Sequence, residues 1–194
     1  MTGRLTRDER TTLLALARAA IVERLFEDGA LAAAKRRMTV TPALSAVRAC
    51  FVTLETPDPE GVLQLRGCIG STEPRHPTHE AVVSAAIDAA FSDPRFAPLA
   101  RDEVVGLCIS VSVLTPMIAV REPAAIVVGR DGVSLSHAGR TALFLPEVAT
   151  SQGWTREELL GQLARKAGLP ASAWREARLS IFQSERFGEN GSDC

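Results

Sequence analysis

The chain has 194 residues, 46% hydrophobic and 23% charged, with a formal net charge of −1. A chain of that length suits one large domain or two tightly joined lobes, and it buries roughly 70% of its unfolded surface without a metal or disulfide staple. The near-neutral balance lacks the clustered basic excess of a nucleic-acid protein, and the short run Lys35-Arg36-Arg37 reads as a solvated helix end.

The start, Met1-Thr2-Gly3-Arg4, leads into polar residues with no apolar core of signal-peptide length. No stretch approaches the roughly 18 apolar residues of a membrane span. The expectation is a soluble, cytoplasmic protein in which Cys50, Cys68, Cys108 and Cys194 are reduced thiols.

A first helix is expected over about Arg7 to Asp28. Thr6 and Glu9 form a capping box, Leu14, Ala17, Ile21 and Leu25 make an apolar stripe, and Gly29 caps the end. Val47 to Leu54 and Val62 to Arg66 read as a strand pair around the turn formers Thr56 to Gly61. The second strand runs into Gly67-Cys68-Ile69-Gly70, where the two glycines are expected to break it into a turn. A second helix, about His79 to Phe91 with Thr78 as N-cap, is small or apolar nearly all round, which suits burial. Ser92-Asp93-Pro94 ends it.

Val104 to Leu114 alternates cleanly. Leu107, Ile109, Val111 and Val113 take one face, and Cys108, Ser110 and Ser112 take the other. That second face fits either a closely packed helix or the wall of a cleft. Ala125 to Val128 and Val133 to Ser136 read as a hairpin through Gly129-Arg130-Asp131-Gly132, followed by a further strand at Thr141 to Leu145 and a short helical stretch opened by Pro146. Thr155 and Glu158 box a helix that runs to about Ala167 and is closed by Gly168 and Pro170, and Leu179 to Phe182 can add a last strand. Hairpin-joined strands among interspersed helices imply an α+β fold with a mainly antiparallel sheet and flanking helices.

The turn Leu65-Arg66-Gly67-Cys68-Ile69-Gly70 is the best candidate site. A thiol between glycines is open to approach, Arg66 can favour its thiolate, and amides around Gly67 and Gly70 can converge on an anion. Cys68 would then serve as nucleophile or covalent anchor. The alternative is that Cys68 packs as a small hydrophobe. Asp93 and Arg95 either pair to pin their turn or present a charged couple to a substrate. Ser110 and Ser112 can supply hydroxyls if their face lines a cleft. His76, His79 and Glu80 are the only histidine cluster, too irregular in spacing for a metal site, although a Cys68–His79 couple is conceivable. His137 reads as a surface or turn residue. No phosphate loop, dinucleotide fingerprint or nucleophile elbow occurs, and neither metal nor cofactor is expected.

The hexapeptide Leu65 to Gly70 resembles the signature of the AMMECR-one domain family. Similar blocks follow in order: Ala89 to Phe96, Val111 to Pro116, Gly129 to Gly132, Leu143 to Val148, then Trp154 with Lys166 to Pro170. This resemblance spans the first helix to about Phe187. It implies a single domain over residues 1–194 with a larger and a smaller lobe, the signature lying near a groove between them. It also implies a protein of bacteria or archaea working with a MEMO-type protein and a radical SAM protein in the AmmeMemoRadiSam system. Two readings of function follow. In one, the chain is an enzyme component acting through Cys68 on a small-molecule or protein-bound substrate. In the other, it is a non-catalytic module docking those two partners.

Overall fold

The structure, a computed structural model, describes residues 4–189, so Cys194 and the first three residues lie outside it. The described chain divides into two compact units. The first runs through Leu114 and takes back the segment from Glu185 onward, and the second is Thr115–Ser184. Helices accompany two four-stranded antiparallel sheets, as an α+β reading requires.

The first unit opens with α1 (Arg7–Phe26). The Thr6 hydroxyl accepts the Glu9 N–H and the Glu9 carboxylate accepts the Thr6 N–H, so both orphan donors are satisfied. Leu13, Leu16, Ala17, Ala20 and Ile21 are buried along it. The helix ends sooner than expected because Glu27 turns left-handed at φ 54°. Gly29, at φ 76°, instead precedes α2 (Ala30–Arg37), and α3 (Pro42–Ser45) follows.

The first sheet has the order β2-β1-β3-β8, built from β1 (Cys50–Pro57), β2 (Leu63–Ser71), β3 (Cys108–Leu114) and β8 (Ser184–Gly188). Asp58 closes the β1–β2 turn by accepting the N–H groups of Glu60 and Val62. Residues Arg101–Gly106 form a 3-10 turn, so β3 starts later than the alternation suggests. Val52, Leu54, Ile109, Val111 and Val113 bury one sheet face in a core completed by α1 and by α4 (Thr78–Phe91). Thr78 is the first helical residue, and its hydroxyl donates to the Ala46 carbonyl instead of capping. Val82, Ala85, Ala86, Ala89 and Ala90 are buried, and their small size lets the strands come close.

The second unit carries β4 (Ile118–Val120), β5 (Gly132–His137), β6 (Arg140–Phe144) and β7 (Arg178–Phe182) in the order β4-β7-β5-β6, with α5 (Pro146–Ser151) and α6 (Arg156–Lys166). The expected capping box at Thr155 and Glu158 is present. The expected hairpin is displaced. Its turn is Ala138-Gly139, both at positive φ as a tight two-residue connection requires, and it joins β5 to β6. Residues 125–128 are not a strand, and Gly129 to Asp131 form a turn entering β5. Ile126, Leu135, Leu159, Leu160 and Leu163 form this unit's core. Among the described residues no helix is long and apolar enough to cross a membrane.

Candidate functional site

The signature does not form a turn. Leu65 to Gly70 lies wholly within β2, an edge strand paired antiparallel with β1, and neither Gly67 nor Gly70 has a positive φ. The glycines serve close approach. A Cβ on Gly67 would stand 2.2 Å from the Ala89 carbonyl oxygen of α4, and one on Gly70 would stand 2.2 Å from the Cys50 carbonyl oxygen and 2.5 Å from the Phe51 Cα. Only glycine lets β2 pass its neighbours at those distances.

The ladder slips at one place. Leu54 faces Gly67 while Glu55 faces Leu65, so Arg66 is the extra residue of a β-bulge. The bulge frees Arg66 to turn toward the 3-10 segment. Its Nε donates to Glu103 Oε1 at 2.6 Å, and its Nη2 donates to Glu103 Oε2 and the Ala97 carbonyl, each at 3.0 Å. This bidentate pair holds the Glu103 carboxyl below its ordinary range. Arg66 is thus committed to a carboxylate, not to the Cys68 thiol.

Cys68 stands opposite Thr53, and the two side chains meet with Sγ 3.1 Å from Oγ1. The Cys68 N–H points out of the ladder and donates to Asp93 Oδ2 at 2.9 Å, which marks a non-hydrogen-bonded pair whose side chains lie close. Asp93 is buried and also accepts from Arg95: the backbone N–H at 3.1 Å and Nε at 3.0 Å on Oδ1, and Nη2 at 2.7 Å on Oδ2. Arg95 Nη2 in turn reaches the Cys68 carbonyl at 3.4 Å. Asp93 and Arg95 therefore clip both backbone groups of Cys68 and block that stretch of sheet edge. The Arg95 and Cys68 N–H bonds hold the Asp93 carboxyl far below the usual carboxylate range. Successive amides of an extended strand point to opposite sides, so those around Gly67 and Gly70 do not converge on an anion as the turn reading expected.

Ser110 and Ser112 share the Cys68 face, opposite Thr53 and Phe51 of β1, and both are buried at 6% and 8% exposure. Arg186 of β8 donates to the Ser110 hydroxyl at 3.3 Å and lies 3.7 Å from the Glu55 carboxylate. Cys68, Thr53 and Ser110 thus form one row across three strands, ended by the Arg186–Glu55 pair. The sequence reading missed Thr53, Glu55 and Arg186. The alternation of β1, with Val52 and Leu54 buried, was the available signal for the first two, while Arg186 depended on the unforeseen β8.

The histidines stand apart from the thiol. His79 Nδ1 lies 2.9 Å from the Leu44 carbonyl and its Nε2 lies 3.9 Å from Glu80, while His76 is exposed. No described cluster of His, Cys, Asp and Glu is arranged to hold a metal ion. Beside the site, Leu63 and Leu65 of β2 are exposed, and Val105 is 95% exposed on the 3-10 turn that packs by Gly106 against Pro57.

The family model described as AMMECR1 matches residues 14–187. Protein MJ0810 of Methanocaldococcus jannaschii is 43% identical over 145 residues, covering 71% of this chain and 70% of its own length. A protein of Methanothermobacter thermautotrophicus is 39% identical over 199 aligned positions, covering 96% of this chain and 97% of its own. Both relatives are archaeal. The crystal structure of the uncharacterized protein PH0010 from Pyrococcus horikoshii superimposes with a TM-score of 0.77 at 34% identity, covering 96% of this chain and 94% of that one.

Proposed function

The chain belongs to the AMMECR1 family, and from that premise we propose that it is a docking component of a cytoplasmic multi-protein system, with the Cys68 strand as a rigid recognition edge. The observation that carries this reading is the clip on Cys68, whose N–H and carbonyl are both held by Asp93 and Arg95. A catalytic thiol is usually activated by an adjacent base or cation, although cysteine is itself nucleophilic. Here both neighbouring arginines bind carboxylates, and no histidine is among the partners of the thiol. Leu63, Leu65 and Val105 are exposed large apolar side chains beside this edge, the kind of surface that marks an interaction site when it is contiguous.

The partners proposed are a MEMO-type protein and a radical SAM protein, as the signature blocks imply, which makes the chain an AmmeMemoRadiSam component. A second reading keeps Cys68 as a nucleophile toward a small-molecule or protein-bound substrate. It is favoured by the partial exposure of the thiol and its hydrogen bond with Thr53.

The test is calorimetric titration of the purified chain with each partner, together with turnover of the three-protein system. Cys68→Ala is expected to keep both binding and turnover, while Leu65→Asp weakens binding by about tenfold or more. Loss of turnover in Cys68→Ala with binding intact would hand the site to the thiol reading. Failure of both partners to bind would remove the system assignment.

A further inference from the structure

The end of the signature strand borders a cavity of about 140 Å³ among the start of β1, the end of β2, residues 73–76 and α4. Cavities of roughly 150 Å³ accept a benzene-sized body. Ala49, Ile69, Ala81 and Ala85 give it apolar walls, and the Cys50 thiol, pushed up to about 12 by burial, is neutral.

The lining also contains a buried cation. Arg48 is only 4% exposed, yet its guanidinium makes one hydrogen bond, from Nε to the Leu114 carbonyl at 3.2 Å. Nη1 is sealed with no partner, and Nη2, also without one among the described residues, is the terminal nitrogen that is not sealed. No described carboxylate pairs with this arginine. Glu185, the acid whose charge reaches it, is taken by Arg10 at 2.7 Å and by the Leu5 N–H at 3.1 Å. In the lining itself, Glu73 is taken by Arg75 at 2.5 Å, and Asp88 forms no ion pair with Arg48. A buried guanidinium without a counter-ion is costly, and an anion brought beside it offsets much of that cost. His76 lines the same cavity and adds an imidazole, not a further acid.

We infer that this cavity binds a small monocarboxylic acid as its anion, with the carboxylate on Arg48 Nη2 and a short branched apolar body between Ile69 and Ala85. An alcohol of the same shape would fill the walls but lack the charge-assisted bond. An amine would meet the guanidinium as a like charge. The inference stands apart from the docking reading, because Arg48 and the α4 wall take no part in that edge.

The experiment is an amide NMR titration of the full chain with three probes of one body: 3-methylbutanoate, 3-methylbutanol and 3-methylbutylamine. The acid is expected to shift the amides of Ala49, Ile69, Ser71 and Ala85 saturably, and to bind about tenfold or more tighter than either other probe. Arg48→Met keeps an unbranched stem without the charge, a change that buried sites often accept without loss of stability. It should erase the preference for the acid while leaving the alcohol unchanged. Ala81→Leu should fill the space and abolish binding of the acid, with the unperturbed remainder of the spectrum reporting that the variant is folded. Equal affinity for the alcohol or amine, no saturable shift at millimolar acid, an unchanged preference for the acid in folded Arg48→Met protein, or full acid affinity in folded Ala81→Leu protein would each overturn the inference.

Discussion

Two regions of this chain bring together the same small kit of two glycines and an Asp–Arg couple, one within a single stretch and one from two separate elements, and put it to different uses. In the second unit, Gly129 and Gly132 bracket Arg130 and Asp131. The buried Asp131 carboxylate accepts the Val127 N–H four residues back at 2.9 Å while Arg130 covers both its oxygens. In the first unit, Asp93 accepts the N–H of Cys68, 25 residues away on another element, and Arg95 donates to the Cys68 carbonyl. The glycines differ too. Gly129 is needed for its φ of 85°, whereas Gly67 and Gly70 are needed for the space their missing Cβ atoms leave. One kit shapes a local turn, and the other joins a helix end to a sheet edge.

The largest expected effect breaks this comparison at the glycines. In Gly70→Ala the new Cβ meets backbone atoms of β1, which cannot move without opening the ladder. A loss of roughly 3 kcal/mol or more is expected, a drop in Tm of about 6–12 °C for a chain of this size. Gly67→Ala, facing the Ala89 carbonyl, should approach it. Gly139→Ala, at φ 74° with nothing within 4 Å, should cost only the left-handed conformation, about 1 kcal/mol. Equal melting temperatures for Gly70→Ala and Gly139→Ala would mean that the close approach is not what glycine provides.

The aspartates come next. Asp93→Asn and Asp131→Asn should both lower Tm, since each leaves an arginine without its carboxylate. Only Asp93→Asn should speed hydrogen exchange at the Cys68 amide and labelling of the Cys68 thiol, because only Asp93 reaches that strand. Equal acceleration in both variants would make the Asp93 clip no more than a turn lock. Acid sharpens the contrast. Both carboxyls are held below their usual range, chiefly by their arginines. Each therefore adds stability that is full above the unfolded value near ~3.9 and is lost as pH falls through the folded value. Urea midpoints of the wild type should decline below about pH 4, with a shallower slope in Asp93→Asn.

Local signals explain what could be read in advance. Capping boxes at Thr6 and Thr155 and the alternation of β3 depend on neighbours in sequence, and each matched the structure. The site depended on distant partners. Gly67-Cys68-Ile69-Gly70 reads as a turn because glycine usually signals conformational freedom, and nothing nearby announces Ala89 or Cys50 as obstacles. Likewise Arg66 reads as an activator of Cys68 because Glu103 is 37 residues away, and the one-residue bulge that re-aims it depends on pairing with β1.

The smallest effect tests that last point. Arg66 and Glu103 form a bidentate, largely covered pair, whereas Arg175 and Glu157 of the second unit lie 3.9 Å apart and exposed. Arg66→Lys keeps the charge but loses the fork, so about 1 kcal/mol of stability should disappear, while Arg175→Lys should change nothing measurable. Glu103→Gln leaves Arg66 charged and without its anion, and so makes the stricter test. If the arginine serves the bulge alone, the variant loses stability and the rate of Cys68 labelling by a neutral disulfide stays within about twofold of wild type. If the released guanidinium swings to the thiol, the labelling rate rises and its pH profile moves to lower pH. The Arg66–Glu103 pair would then be a catch on the cysteine, and the nucleophile reading would gain the cation beside the thiol that it lacks while Glu103 holds Arg66.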